Sequence, residues 1–112
     1  MVKIYIENRM LWSEIRIANT MFTRLIGLIR TQRLDPEQGL LIWPCKQIHC
    51  FHMKYAIDVI FIDQKMNVIA ICSVEPGQIS PFYRKSHYAL EVTSGQARLY
   101  GIKAGDRLTI QN

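Results

Sequence analysis

The chain has 112 residues, 49% of them hydrophobic, and 14 basic against 9 acidic side chains give it a net charge of +5. That supplies apolar material for one core and not two, so a single domain over residues 1–112 is expected. No stretch approaches the roughly 18 consecutive apolar residues that cross a bilayer, and charges recur too often near the N-terminus for a secretory signal. A cytoplasmic protein without a membrane span is expected.

Val2, Ile4 and Ile6 alternate with Lys3, Tyr5 and Glu7, the period of a strand. Glu7-Asn8-Arg9 makes a turn. A second strand has Ser13, Ile15 and Ile17 opposite Trp12, Glu14 and Arg16, and the two strands pair as a hairpin. Helical spacing follows: Met21, Phe22, Leu25, Leu28 and Ile29 share one stripe, with Asn19 or Thr20 as cap. Residues 34–39 form a loop around Pro36 and Gly39. Further strands are predicted at Leu40 to Trp43, Gln47 to Met53, Ile57 to Asp63, Val68 to Val74, His87 to Thr93 and Arg107 to Ile110. Gln96 to Tyr100 reads as a short helix with a Thr93/Gln96 capping box and Gly101 as its stop. The expected fold is mostly β (α+β). It is a small β-barrel-like domain of about seven short strands, one main helix and one short C-terminal helix.

Several segments carry a family resemblance. They are Arg24-Leu25-Ile26-Gly27-Leu28, Gly39-Leu40-Leu41 with Pro44-Cys45, and Ile48-His49-Cys50-Phe51-His52-Met53 followed by Ile57-Asp58-Val59-Ile60-Phe61-Ile62-Asp63. Leu90-Glu91-Val92, Gly95 and Gly101-Ile102-Lys103-Ala104-Gly105-Asp106 complete the set. In their order and spacing the chain resembles the domain-of-unknown-function 192 family over about residues 15 to 110. The resemblance implies a β-rich fold and no particular reaction. Lys65-Met66 stand where that family usually has Asp-Gly, Thr93 and Ala56 where it has proline, and His52 where an aromatic or glycine is common.

Cys45, His49, Cys50 and His52 offer four soft ligands within eight residues, a pattern that suggests zinc. Strand parity opposes it. If residues 47 to 53 run extended, Cys50 and His52 face one way, and His49, Phe51 and Met53 the other. No metal or other cofactor is therefore expected. The three cysteines are expected to be reduced thiols, although Cys45 and Cys50 are near enough in sequence to bridge under oxidation. Cys72 reads as a small core residue. A Cys50 nucleophile near His52 would be loosely placed, because i and i+2 on a strand lie about 7 Å apart at Cα.

His49 falls on an apolar face beside Phe51 and Met53. It reads as a buried histidine bonded to a backbone carbonyl or, less simply, as a functional imidazole. Asp58 interrupts an apolar run and must find donors. It either ties down the loop Lys54-Tyr55-Ala56 or orients His49 at a cavity mouth. Glu91 is expected at an outward or barrel-mouth position, where it would form a carboxylate pair with Asp58 if the two approach. The sequence therefore predicts a ligand- or partner-binding module with His49, Met53, Asp58 and Glu91 as binding residues. The alternative is a hydrolase or lyase using His49 with Asp58 or Glu91. The partner is an unknown small molecule or protein. Residues 1 to 33 carry Lys3, Arg9, Arg16, Arg24, Arg30 and Arg33 against Glu7 and Glu14, a basic third suited to an acidic partner. Nucleic acid is disfavoured, because no aromatic residues interleave with those charges.

Overall fold

A computed structural model describes residues 1–18, 34–50 and 53–112. The predicted main helix, its Asn19 or Thr20 cap, Phe51 and His52 lie outside the described residues. Among those described, seven strands form one sheet: β1 (Val2–Ile6), β2 (Arg9–Ala18), β3 (Gln38–Ile42), β4 (Ile57–Ile62), β5 (Val68–Val74), β6 (Tyr88–Thr93) and β7 (Thr109–Gln111). The spatial order is β5-β4-β6-β3-β2-β1-β7. The helix among these residues is the four-residue α1 (Gln96–Leu99).

β1 and β2 pair antiparallel, but their register shifts between Val2 and Ile4 and again between Ile4 and Tyr5. Each shift adds one residue to β2, and the two break simple alternation. Leu11 and Trp12 are both buried, Ile15 and Ala18 follow, and Ile17 is exposed. The expected pairing of Ile15 with Ile17 on one inward face is thereby corrected. β2 and β3 run parallel, Glu14 opposite Gln38 through Ala18 opposite Ile42. All other pairs are antiparallel.

The turn from β4 to β5 uses neither glycine nor an Asp-Gly pair. Met66 adopts a left-handed φ of 70°. The Asp63 carboxylate accepts the Lys65 and Asn67 N–H groups, each at 2.9 Å, an Asx turn that holds the reversal.

The sheet curls until its far edges meet at one end. Val68 donates to the Asp106 carbonyl at 2.7 Å, Gly105 donates to Val68, and Leu108 donates to Met66. Segment 105–108 thus latches β5 and runs directly into β7, which pairs with β1. The result is a half-closed barrel. Its sheet buries apolar side chains on both faces, and β4 is buried at all six positions. One face carries Ile4, Trp12, Ile15, Ile60, Leu90 and Leu108. The other carries Ala18, Leu40, Ile42, Cys50, Val59 and Phe61.

The described residues of the predicted strand from Gln47 to Met53 are not part of the sheet. They touch strand geometry at one isolated bridge, His49 to Ile79. Exposure still alternates, with Gln47 and His49 outside and Ile48 and Cys50 inside. The N–H of Met53 reaches the Cys50 carbonyl at 3.3 Å.

Candidate functional site

Asp58 and Glu91 are the two buried carboxylates of the described residues, and the sheet separates them. Asp58 pairs with Val92 and Ser73 across β6 and β5, while Glu91 pairs with Val59 and Leu40. Adjacent strand positions project to opposite faces. The two carboxylates therefore point away from each other, and the expected Asp58–Glu91 pair does not form.

Asp58 is fully engaged. Its Oδ1 accepts the Ser73 hydroxyl at 2.9 Å, and its Oδ2 accepts the N–H groups of Gly95 at 2.9 Å and Ala97 at 3.2 Å. It caps α1 from another strand, in place of the predicted capping box. α1 has no cap bond from the side chain of its own N-cap residue, Gly95. The Thr93 hydroxyl instead donates to the Leu34 and Asp35 carbonyls. The structural role expected for Asp58 is present, but it fastens the α1 turn and not the loop 54–56.

Glu91 lies in the middle of a rung that crosses five strands: Arg16, Leu40, Glu91, Val59, Cys72. It is 6% exposed, which corrects the outward placement read from parity. Burial pushes its acid up to about 8, so at neutral pH the protonated carboxyl predominates. No hydrogen-bond donor among the described residues reaches it. Its charge acts on Cys50 and Tyr55. Burial, with the Glu91 charge as a second cause, lifts the Cys50 thiol to about 11. The same two effects raise the Tyr55 phenol, and the Arg16 guanidinium partly opposes them. The Tyr55 hydroxyl is itself buried without a partner. A thiol held that high is protonated near neutrality, which removes Cys50 as a nucleophile.

Met53 and Tyr55 are half-buried against the same apolar cluster as Cys50 and Val59. Met53 and Glu91 therefore share a face. His49 does not join them, because its side chain is exposed, contrary to the buried position expected. Among the described residues no three or more His, Cys, Asp or Glu side chains gather as a metal set. Cys45 and Cys50 are buried thiols outside any disulfide, and Cys45 donates to the Gln47 carbonyl at 3.4 Å. Cys72 is half-buried and within 3.1 Å of the Tyr83 hydroxyl.

On the same face, toward β2, a depression of about 260 Å³ is lined by Met1, Glu14, Arg16, Leu34, Gln38 and Gly39. Arg16 is two strands from Glu91 along the rung, or about 10 Å at the usual strand spacing. Of the predicted basic third, Arg9 is committed elsewhere. It donates to the Tyr100 carbonyl at 2.8 Å and lies 6.0 Å from the Tyr100 ring. Arg24, Arg30 and Arg33 lie outside the described residues. Sequence reasoning missed Tyr55 and Cys50 as neighbours of Glu91. The one available signal was the pairing of Leu90-Glu91-Val92 with Ile57 to Ile62, which fixes which face each residue takes.

These features define a class: a small protein on one curled, half-closed β-sheet, with a hydrogen-bonded acid on one face and, on the other, an acid that no described side chain or backbone group bonds. The chain belongs to the DUF192 family (Uncharacterized ACR), whose model matches residues 2–110. The UPF0127 protein PH1112 of Pyrococcus horikoshii is 29% identical over 101 residues, 85% of either chain. A protein of unknown function from Novosphingobium aromaticivorans is similar in structure, with a TM-score of 0.82 at 22% identity over 96% of this chain and 82% of that one. A candidate transcription regulator from Sinorhizobium meliloti gives 0.80 at 21% identity, over 96% of this chain and 90% of the other. At such identities the structural likeness is one of fold. No helix among the described residues is long and apolar enough to cross a membrane.

Proposed function

We propose that this protein is a binding module that holds a small, largely apolar molecule against the sheet face carrying Glu91, Cys50, Tyr55 and Met53. The observation behind this reading is the buried Glu91 carboxyl, which no described donor satisfies. Buried polar groups are normally hydrogen-bonded, and a ligand bearing an amine, amide or carbonyl would supply the missing partner. The orphaned Tyr55 hydroxyl offers a second polar contact, and the surrounding aliphatic side chains offer an apolar wall, the usual make-up of a ligand site. His49 and Asp58 take no part in this contact. Three cysteines held outside disulfides suit a reducing compartment, which favours the cytosol.

The hydrolase or lyase reading has less support. General acid–base work needs two groups within reach of one substrate. Asp58 is saturated on the far face, and His49 is on the outer surface.

A thermal-shift screen of small amines, amides and acids at pH 6 and pH 9 tests the binding reading. Stabilisation of the native protein that disappears in Glu91→Leu is the expected result. A screen in which no compound moves the melting temperature, or in which Glu91→Leu responds like the parent, would defeat it.

A further inference from the structure

A second surface is the outer side of two extended segments, joined by backbone and side-chain hydrogen bonds, whose Ile48, Cys50 and Tyr83 pack inward. Cys50 donates to Gln78, Gly77 to Cys50, Ser80 to Ile48, and Tyr83 to Lys46, all at 2.8–2.9 Å. Side chains reinforce the pairing. The Ile48 N–H reaches Ser80 Oγ, and the Gln47 amide reaches the Ser80 carbonyl. The Lys46 ammonium ties down the carbonyls of Arg84 and Ser86 at 2.7 and 3.0 Å. The platform is therefore rigid before any partner arrives.

What it presents is unusual for a solvent-facing surface. Ile79 is 55% exposed and Phe82 61% exposed, with exposed Pro81 between them. Immediately beyond lies a tight turn closed by the Ser86 N–H to the Tyr83 carbonyl, with Arg84 and Lys85 at its tip. Both cations are exposed, and neither forms an ion pair among the described residues. Exposed aromatic and aliphatic anchors beside cations on a fixed scaffold are the ingredients of an interaction hot spot.

From this juxtaposition we infer that the platform of residues 46–49 and 79–85 docks an acidic, extended segment of another protein, with an apolar side chain on Phe82 and Ile79 and carboxylates on Arg84 and Lys85. Charge selects this occupant. A second copy of the chain would bring the same net charge of +5 to the contact, which works against self-association. Gln47 and Gln78 keep amide groups at the surface beyond those used internally, which match a peptide backbone and not an acyl chain.

Panning a random peptide library on the full chain tests the inference, with Phe82→Ser/Arg84→Glu/Lys85→Glu as the counter-target. These positions are exposed, and an unchanged melting temperature would show that the variant is folded. Recovered peptides should be rich in Asp and Glu around an aromatic or aliphatic residue. They should bind the variant at least tenfold more weakly and lose affinity as salt rises. Peptides without acidic enrichment, or equal binding to the variant, would overturn the proposal. So would capture of the parent by phosphatidylserine vesicles without peptide binding, or a dimer in sedimentation that the triple variant abolishes.

Discussion

Asp58 shows how one side chain can replace a local motif. Three donors from two elements converge on its carboxylate. Asp58→Ala would leave the Gly95 and Ala97 N–H groups unpaired, and the expected loss is about 3 kcal/mol of unfolding free energy in urea. Asp58→Asn retains an acceptor for the backbone donors and should lose about 1 kcal/mol. Equal losses for the two variants would mean that the charge, and not the cap, is what matters. Glu91 behaves in the opposite sense. Its acid is about 8 when folded and near 4.3 in an unfolded chain. Between those values the native state binds the extra proton. Stability is therefore greatest below about pH 4 on this group's account and falls as pH rises through 8. At 1.36 kcal/mol per pH unit the loss is on the order of 5 kcal/mol. Glu91→Gln should flatten the stability profile between pH 5 and 8, and a parent profile already flat in that window would contradict the assignment. That Asp58 needed donors was legible in the sequence, because it interrupts an apolar run, whereas Glu91 read as an outward residue. Their opposite faces were not legible, because that depends on which strands pair and in what register.

At the scale of elements, alternation located most strands and failed where the ladder is irregular. Val68–Val74 matches its predicted limits. β2 does not follow simple parity, because two register shifts each add a residue that no local pattern announces. Residues 47–50 keep the predicted alternation but partner a loop and not a strand. Met66 holds a conformation that the sequence would assign to glycine, because Asp63 bonds organise the turn around it. Gly39 is the reverse case, a glycine required by crowding. A methyl group there would lie 2.5 Å from the Glu91 carbonyl oxygen and 2.8 Å from Ile15 Cδ1. The backbone oxygen is fixed by its strand and cannot move aside. Gly39→Ala should cost about 2 kcal/mol, read from the shift of the denaturation midpoint, and an unchanged midpoint would show that β3 and β6 are looser than this contact implies.

For the whole molecule, a mostly β fold of about seven strands followed from short apolar runs separated by turn residues. The curl did not, because it depends on bonds between residues about 40 apart, such as Val68 with Asp106. A sheet buried on both faces also hides polar outliers that one-sided patterning would place outside, and Glu91 is such a residue.

The latch at 105–108 bears on how the protein is made. β1 leaves the ribosome first, and its outer neighbour β7 emerges about a hundred residues later. Until then both margins of the sheet display unpaired amides and carbonyls, and nothing holds the curl shut. Translation must deliver the last strand before the molecule can close, so an arrested nascent chain would expose two adhesive borders to whatever chaperone or neighbouring chain reaches them first.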